Sequence, residues 1–384
     1  MALKVAKRGG VPPFIVMDVM SAAAAREQAG DDVLHLEVGQ PSTAAPAGAL
    51  EAAAAALAGE RLGYTVALGI PPLRRRIARH YREAYGVAVD DAQVVVTTGS
   101  SGGFIIAFAA AFDPGDRVAL AAPGYPAYRN ILTALGCVPV EIPTGPNTRF
   151  QPTPELLDGL ADPVDGLIVA SPANPTGTML TVDELSALAT YCADRGIRMI
   201  SDEIYHGITY GHETATAAGD AHAVTINSFS KYYSMTGWRL GWMVVPQDLV
   251  RAVECLTQNL FISAPTLSQI AGVAAFDCGA ELDRNVARYA ANRQVLLEGL
   301  PKLGIDRLAP ADGAFYIYAD IGRFTNDSLD FSKRLLEEAG VAATPGVDFD
   351  RARGPRTLRL SYAGSEADIA EAIERMRGWL SNAR

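Results

Sequence analysis

A chain of 384 residues, 49% apolar and 20% charged, is long enough to bury a substantial core in one large domain and a smaller one. Its formal net charge of −10 argues against a nucleic-acid-binding surface, which needs clustered Lys and Arg, but leaves room for one small basic pocket. No window approaches the roughly 20 apolar residues that cross a bilayer, and no apolar stretch of the secretory-signal kind follows the basic residues of Met1–Gly10.

From the N-terminus, Pro12–Thr43 carries an apolar helix that must dock elsewhere, and alanine-rich Ala44–Gly59 reads as a good helix former. The middle of the chain then alternates short apolar runs with helical stretches, the signature of an α/β fold with a mostly parallel sheet. The strand candidates are Gln93–Thr97, Arg117–Ala121, Val138–Glu141, Gly166–Ala170, Arg198–Ser201, Ala223–Ile226 and Leu240–Val245. Most are continuous apolar runs, as suits strands covered on both faces. Helical patterns between them include Gly102–Phe112, Tyr125–Leu135 and Thr181–Arg195. The last opens on Thr181 with Glu184 three residues on, a capping-box pattern.

From about Glu281 the character changes. A helical pattern over Glu281–Leu303 leads to an aromatic strand candidate at Gly313–Asp320, a helix at Leu329–Gly340, a strand at Arg356–Tyr362 and a helix at Glu366–Ser381. This reads as a smaller α+β unit. The expected division is a large domain over residues 44–288, a discontinuous small domain of 12–43 with 289–384, and an N-terminal arm of 1–11. Cys137, Cys192, Cys255 and Cys278 are widely spaced and fit buried thiols in a reducing cytoplasm. The five histidines form no ligand pattern, so no metal is expected.

Four segments carry chemistry. In the first, Ser228-Phe229-Ser230-Lys231 follows an apolar strand and precedes Gly237-Trp238-Arg239-Leu240-Gly241. Alone, such a lysine fits an ordinary surface position equally well. Beside hydroxyls and an arginine set between glycines, it is what a phosphate-bearing aldehyde cofactor requires. The amine forms the Schiff base, while Ser228, Ser230 and the planar Arg239 guanidinium hold the phosphate.

In the second, Ile197–Ser201 leads into Asp202-Glu203-Ile204-Tyr205, putting a carboxylate where open α/β sheets bind ligands. Asp202 there can pair with a protonated pyridine nitrogen, and Tyr205 can donate to the ring's phenolic oxygen. The alternative is an Asp that merely caps a helix. The third, Ser171-Pro172-Ala173-Asn174-Pro175-Thr176-Gly177, is either a plain turn or a loop whose Asn174 amide reaches the same oxygen. The fourth, Thr98-Gly99-Ser100-Ser101-Gly102-Gly103, opens a helix and offers an anion site. It has neither G-x-G-x-x-G nor a P-loop lysine, so nucleotide binding gains no support.

Together these motifs, in this order over nearly the whole chain, resemble the class I and II aminotransferases, the family of aspartate aminotransferase. The resemblance implies pyridoxal phosphate (PLP) fold type I, with a mostly parallel, mixed seven-stranded sheet and a smaller α+β domain. It implies PLP as cofactor, an amino acid and a 2-oxo acid as substrates, and Lys231 as the Schiff-base lysine that shuttles the proton. Arg239 and Ser228, assisted by Ser230, match the phosphate ligands, and Ser100 and Ser101 sit at the helix N-terminus that holds it. Asp202, Tyr205 and Asn174 match the groups around the ring, and Tyr125, in Pro123-Gly124-Tyr125-Pro126, the aromatic residue stacked on it. Tyr64, in Gly63-Tyr64-Thr65, matches a tyrosine lent to the neighbouring subunit's phosphate, which implies a homodimer. Arg359, in Leu358-Arg359-Leu360-Ser361, matches the clamp on the substrate α-carboxylate, and Gly39 a glycine whose backbone approaches the substrate.

One departure stands out. Some members read a second carboxylate with an arginine in the segment that here is Gln258–Gln269, which contains no Arg or Lys. Phe14 and Ile15 either line an apolar side-chain pocket or are packing residues, and packing is the preferred reading. A carbon–sulfur β-lyase on the same fold would use the same lysine, and the motifs barely separate it from an aminotransferase. An effector-binding module of a transcription regulator fits less well, given the acidic chain and its start close to the fold.

Overall fold

The computed structural model describes residues 3–382. Each strand candidate of the middle region forms a strand, shifted by at most two residues at an end: β2 (Val94–Thr97), β3 (Arg117–Ala122), β4 (Val138–Pro143), β5 (Gly166–Ala170), β6 (Arg198–Asp202), β7 (Val224–Ser228) and β8 (Gly241–Val244). They lie in one sheet in the order β2-β8-β7-β6-β5-β3-β4. The pairs from β4 to β7 are parallel, and β8 runs antiparallel to both β7 and β2. The Val94-Val95-Val96 run is wholly buried, as its unbroken apolar character requires.

This topology sets the site. Ala170, Asp202 and Ile226 are in register, so the carboxyl ends of β5, β6 and β7 open side by side. Because β8 is antiparallel, it begins where they end: Gly241 is in register with Ser228 on one side and Thr97 on the other. The helix Gly99–Ala111 therefore starts at the same edge, beside Arg239. That helix is apolar on all sides and buries Phe104, Ile106 and Phe108.

Helix Val182–Arg195 has the full capping box: Thr181 Oγ1 accepts from Glu184 N (3.2 Å), and Glu184 Oε2 from Thr181 N (2.8 Å). Four helices beyond those singled out in the sequence, Pro71–Tyr85, Pro154–Asp158, Val250–Leu260 and Thr266–Ala275, complete this part among the described residues. The first buries Leu73, Ile77 and Tyr81 at helical spacing and exposes Arg75, Arg79 and Arg82, while Arg74 donates to Val94 O (2.9 Å) and Arg76 lies over the Phe276 ring.

The remaining strands form two small sheets. β1 (Leu34–His35) pairs in parallel with β10 (Val341–Ala342), joining the N-terminal segment to the C-terminal third. β12 (Thr357–Ser361) lies between β11 (Thr344–Pro345) and β9 (Tyr316–Asp320), antiparallel to both. Helices Gly279–Lys302, Ser328–Ala339 and Glu366–Asn382 accompany them. One apolar cluster joins Leu34 and Leu36 to Tyr316, Leu335 and Ile369, and takes in Ile204, Tyr205 and Ile208 from the turn after β6. Arg359, mid-strand in β12, is thereby fixed against the end of the large sheet. Among the described residues no helix is long and apolar enough to cross a membrane, and no His, Cys, Asp or Glu cluster could hold a metal ion.

Candidate active site

The strand ends open on a recess of about 220 Å3. Gly39, Ser100, Ser101, Tyr125, Asn174, Asp202, Tyr205, Ser230, Lys231, Arg239 and Arg359 all line it, gathered from positions spread over most of the chain. Two expected residues do not. Ser228 is buried one step behind the wall, its hydroxyl donating to Ser230 Oγ (2.8 Å). Tyr64 is 85% exposed and lines a separate open recess with Arg61, Thr98 and Ser263.

Lys231 emerges from the turn after β7, and its Nζ donates to Gly39 O at 2.7 Å. Burial first, then the positive charges of Arg359 and Arg239, lowers its pKa to about 8. Asp202 ends β6 with its side chain buried. Its Oδ1 accepts from Ile204 N (3.1 Å), and Oδ2 accepts from the Tyr128 hydroxyl. Burial raises its pKa to about 6 against the pull of those bonds and of Lys231. The residues after Asp202 form a turn, so it caps no helix.

Arg359 is also buried. Nη1 donates to Asn174 Oδ1 (3.0 Å), and Nη2 to Thr344 Oγ1 (3.1 Å) and to Glu37 O. Its guanidinium carbon lies 4.4 Å from the Tyr316 ring centroid and 4.8 Å from that of Phe349. A planar cation held between rings and bonded at both Nη atoms has one orientation to offer, which suits a carboxylate. Tyr205 Oη shares a hydrogen bond with Tyr316 Oη at 2.7 Å.

The opposite end of the recess suits an anion. The helix Gly99–Ala111 points its unpaired first amides there, with the positive end of its dipole. Gly99 has φ +72°, and a Cβ on it would stand 2.7 Å from Arg239 Nη2. Likewise a Cβ on Gly241 would stand 2.9 Å from Ser100 N. Only glycines let the guanidinium and the helix start come this close. Two positive features side by side, with the hydroxyls of Ser100, Ser101 and Ser230, form a phosphate-type donor set.

Of the two readings for Phe14 and Ile15, Phe14 meets both, lining the recess while its ring packs edge-on to Tyr125 at 5.7 Å, whereas Ile15 does not line it. Packing and lining are compatible here, because the recess wall is itself an apolar contact. Sequence reading also missed Tyr128 and Tyr316. Tyr128 had a signal, since it lies three residues after Tyr125 and so on the same side of the helix Pro126–Leu135. Tyr316 had none, because its partner Tyr205 is 111 residues away.

Segment Gln258–Gln269, which lacks a cation, instead ties down the Tyr64 loop. Thr266 Oγ1 donates to Gly63 O (2.5 Å), and the buried Gln269 accepts from Ile70 N (2.8 Å) and donates to Thr65 Oγ1 (3.1 Å).

The family model described as aminotransferase class I and II matches residues 31–376. The chain is 56% identical to the valine–pyruvate aminotransferase of Mycobacterium tuberculosis, over 98% of each protein. It is 34% identical to the aspartate/prephenate aminotransferase of Thermus thermophilus, over 97% of each. Among solved structures, an aminotransferase from Mycobacterium tuberculosis superposes with a TM-score of 0.97 at 56% identity, covering 99% of this chain and 100% of that one. The Thermus thermophilus aspartate aminotransferase with maleate superposes with a TM-score of 0.93 at 32% identity, covering 98% and 100%.

Proposed function

The chain belongs to the class I and II aminotransferases, and from that premise we propose that it binds pyridoxal phosphate at Lys231 and exchanges amino groups between L-valine, or a similar aliphatic amino acid, and pyruvate. That it moves an amino group from an L-amino acid to a 2-oxo acid follows from the family and from the high identity to a transaminase over the whole chain. The identity of the substrates rests on the named relative and on the apolar wall of the recess, where Phe14, Val16, Val38 and Ile204 stand.

One observation carries the reading. The chain has five lysines, and Lys231 alone is in the recess, opposite a buried carboxylate and beside a phosphate-type donor set. Those residues fit pyridoxal phosphate at each of its ends. Bound there, the cofactor would supply an aldehyde and a pyridine ring able to draw electrons from the substrate Cα.

The protein's part divides among its residues. Asp202 would keep a proton on the ring nitrogen, because a cation beside it favours the charged form of this buried carboxylate. Arg239, Ser100, Ser101 and Ser230, with Ser228 behind them, bind the phosphate. Tyr125 would stack on the ring, and Asn174 and Tyr205 would serve its phenolic oxygen. Arg359 takes the substrate α-carboxylate, beside Asn174 and the Gly39 backbone, and thereby orients the Cα–H bond. With its lowered pKa, the Lys231 amine takes up and returns the Cα proton near neutral pH.

The division into a body of residues 44–288 and a second of 12–43 with 289–384 is part of the same proposal, supported by the β1–β10 pairing. So are a homodimer in which Tyr64 completes the neighbouring phosphate site and a cytoplasmic setting, in keeping with four free cysteines. To test the function, holoenzyme is mixed with L-valine alone. About one equivalent of the 2-oxo acid per site should form, with further turnover only on adding pyruvate. Pyruvate and ammonia released from a cysteine-type substrate without an acceptor would favour the β-lyase reading instead.

A further inference from the structure

The helix Ile15–Gln28 starts without a capping side chain of its own. Phe14 stands at its cap position with φ −92° and ψ 101°, and contributes none. The first amides are met from the far end of the sequence. Asp348 Oδ1 accepts from Ile15 N at 3.4 Å, and Oδ2 from Val16 N at 3.2 Å. A carboxylate in this place satisfies two orphan donors and faces the positive end of the helix dipole. Asp348 is itself held fast, being buried, with its carbonyl accepting from Arg129 Nη2 at 2.6 Å. The next residue, Phe349, is the ring 4.8 Å from the Arg359 guanidinium. One short turn therefore holds both the start of this helix and one face of Arg359.

What that helix start does is visible in the recess. Phe14, Val16 and Met17 line it, and the Phe14 ring meets Tyr125. The cations this chain brings to the recess are Lys231, Arg239 and Arg359, each already assigned above to the cofactor or the α-carboxylate. An acidic side chain facing Phe14, Val16 and Met17 would thus leave water without a partner from this chain, which is costly.

We infer that Asp348 is a positioning residue for substrate choice. It docks the Phe14–Met17 end of the helix as an apolar wall, in fixed relation to Arg359, and so selects amino acids with uncharged aliphatic side chains. The inference rests on the recess being the amino-acid site proposed above.

The test compares L-valine with L-alanine, which share the α-carboxylate and the ammonium and differ only in how far they reach toward the wall. In the holoenzyme of Asp348→Ala, the ratio of kcat/KM for valine to that for alanine should fall about tenfold, mainly through KM for valine, as expected for losing a helix cap and its charge. Phe14→Ala, which leaves the cap in place, should lower the same ratio. Asp348→Asn, which keeps one acceptor, should lie between wild type and Asp348→Ala. Equal losses for both donors, or an unchanged ratio in Phe14→Ala and Asp348→Asn, would overturn the inference. If Asp348→Ala does not fold, Phe14→Ala and Asp348→Asn decide. A wild-type enzyme inactive on both donors would instead overturn the proposed function, a result read before any variant is made.

Discussion

Lys231 and Asp202 share one recess, yet burial moves them in opposite directions. It lowers the pKa of the lysine to about 8 and raises that of the aspartate to about 6. Each shift disfavours the charged form. The sign of the consequence is definite for Lys231: the neutral amine is the nucleophile, so its fraction grows as pH rises toward about 8 and levels off above it. Capture of pyridoxal phosphate by the cofactor-free protein, followed by stopped-flow absorbance, should accelerate between pH 6 and 8 and plateau by about pH 9. A rate still climbing steeply above about pH 9, with no plateau, would mean that the amine keeps its ordinary pKa. Asp202→Asn should lower kcat by about two to four orders of magnitude while the cofactor still binds, because an amide cannot stabilise the ring's positive charge. Tyr128→Phe is the milder companion. It removes a donor to Asp202 Oδ2 and should cost about tenfold in kcat, the size of a hydrogen bond to a charged group. Near-normal rates in Asp202→Asn would reduce that residue to a turn former.

At the scale of elements, the helix Val182–Arg195 offers a clean stability test. Its capping box lies at the surface and makes no contact with the recess. Thr181→Ala should lower the unfolding free energy by about 1 kcal/mol, read from the denaturant midpoint, and leave kcat unchanged. A capping box is local, which is why Thr181 and Glu184 announced it in the sequence. The same holds for the strands of the large sheet, whose unbroken apolar runs mark burial on both faces, and for Asp202 and Lys231, each set in a short motif at a strand end. What could not be read is what acts across the chain. Tyr128 reaches Asp202 over 74 positions and Asp348 reaches Val16 over 332, and no periodicity carries either pairing. The strands β10 and β11 are two residues each, too short for any alternation to show.

At the scale of the molecule, the loop carrying Tyr64 is the unfinished part. Tyr64, Val66, Leu260 and Ile262 are all exposed, on two segments joined by the bond from Thr65 N to Ser263 Oγ. Large apolar side chains grouped at a surface suit an interface, and a C2 dimer would lend Tyr64 to the second recess. Sedimentation should find a dimer at assay concentration. Tyr64→Phe should weaken cofactor retention by about 0.5–1.5 kcal/mol, with some additional loss because the acceptor is charged. A fully active monomer would return Tyr64 to an ordinary loop.

All of this turns on where the cofactor is attached. Borohydride reduction of the holoenzyme, followed by peptide mapping, addresses that directly, since Lys4, Lys7, Lys302 and Lys333 are all exposed competitors. The expected result is about one pyridoxyl group per chain, confined to the peptide containing Lys231. Label on any of the other four lysines, or label retained by Lys231→Ala, would contradict it.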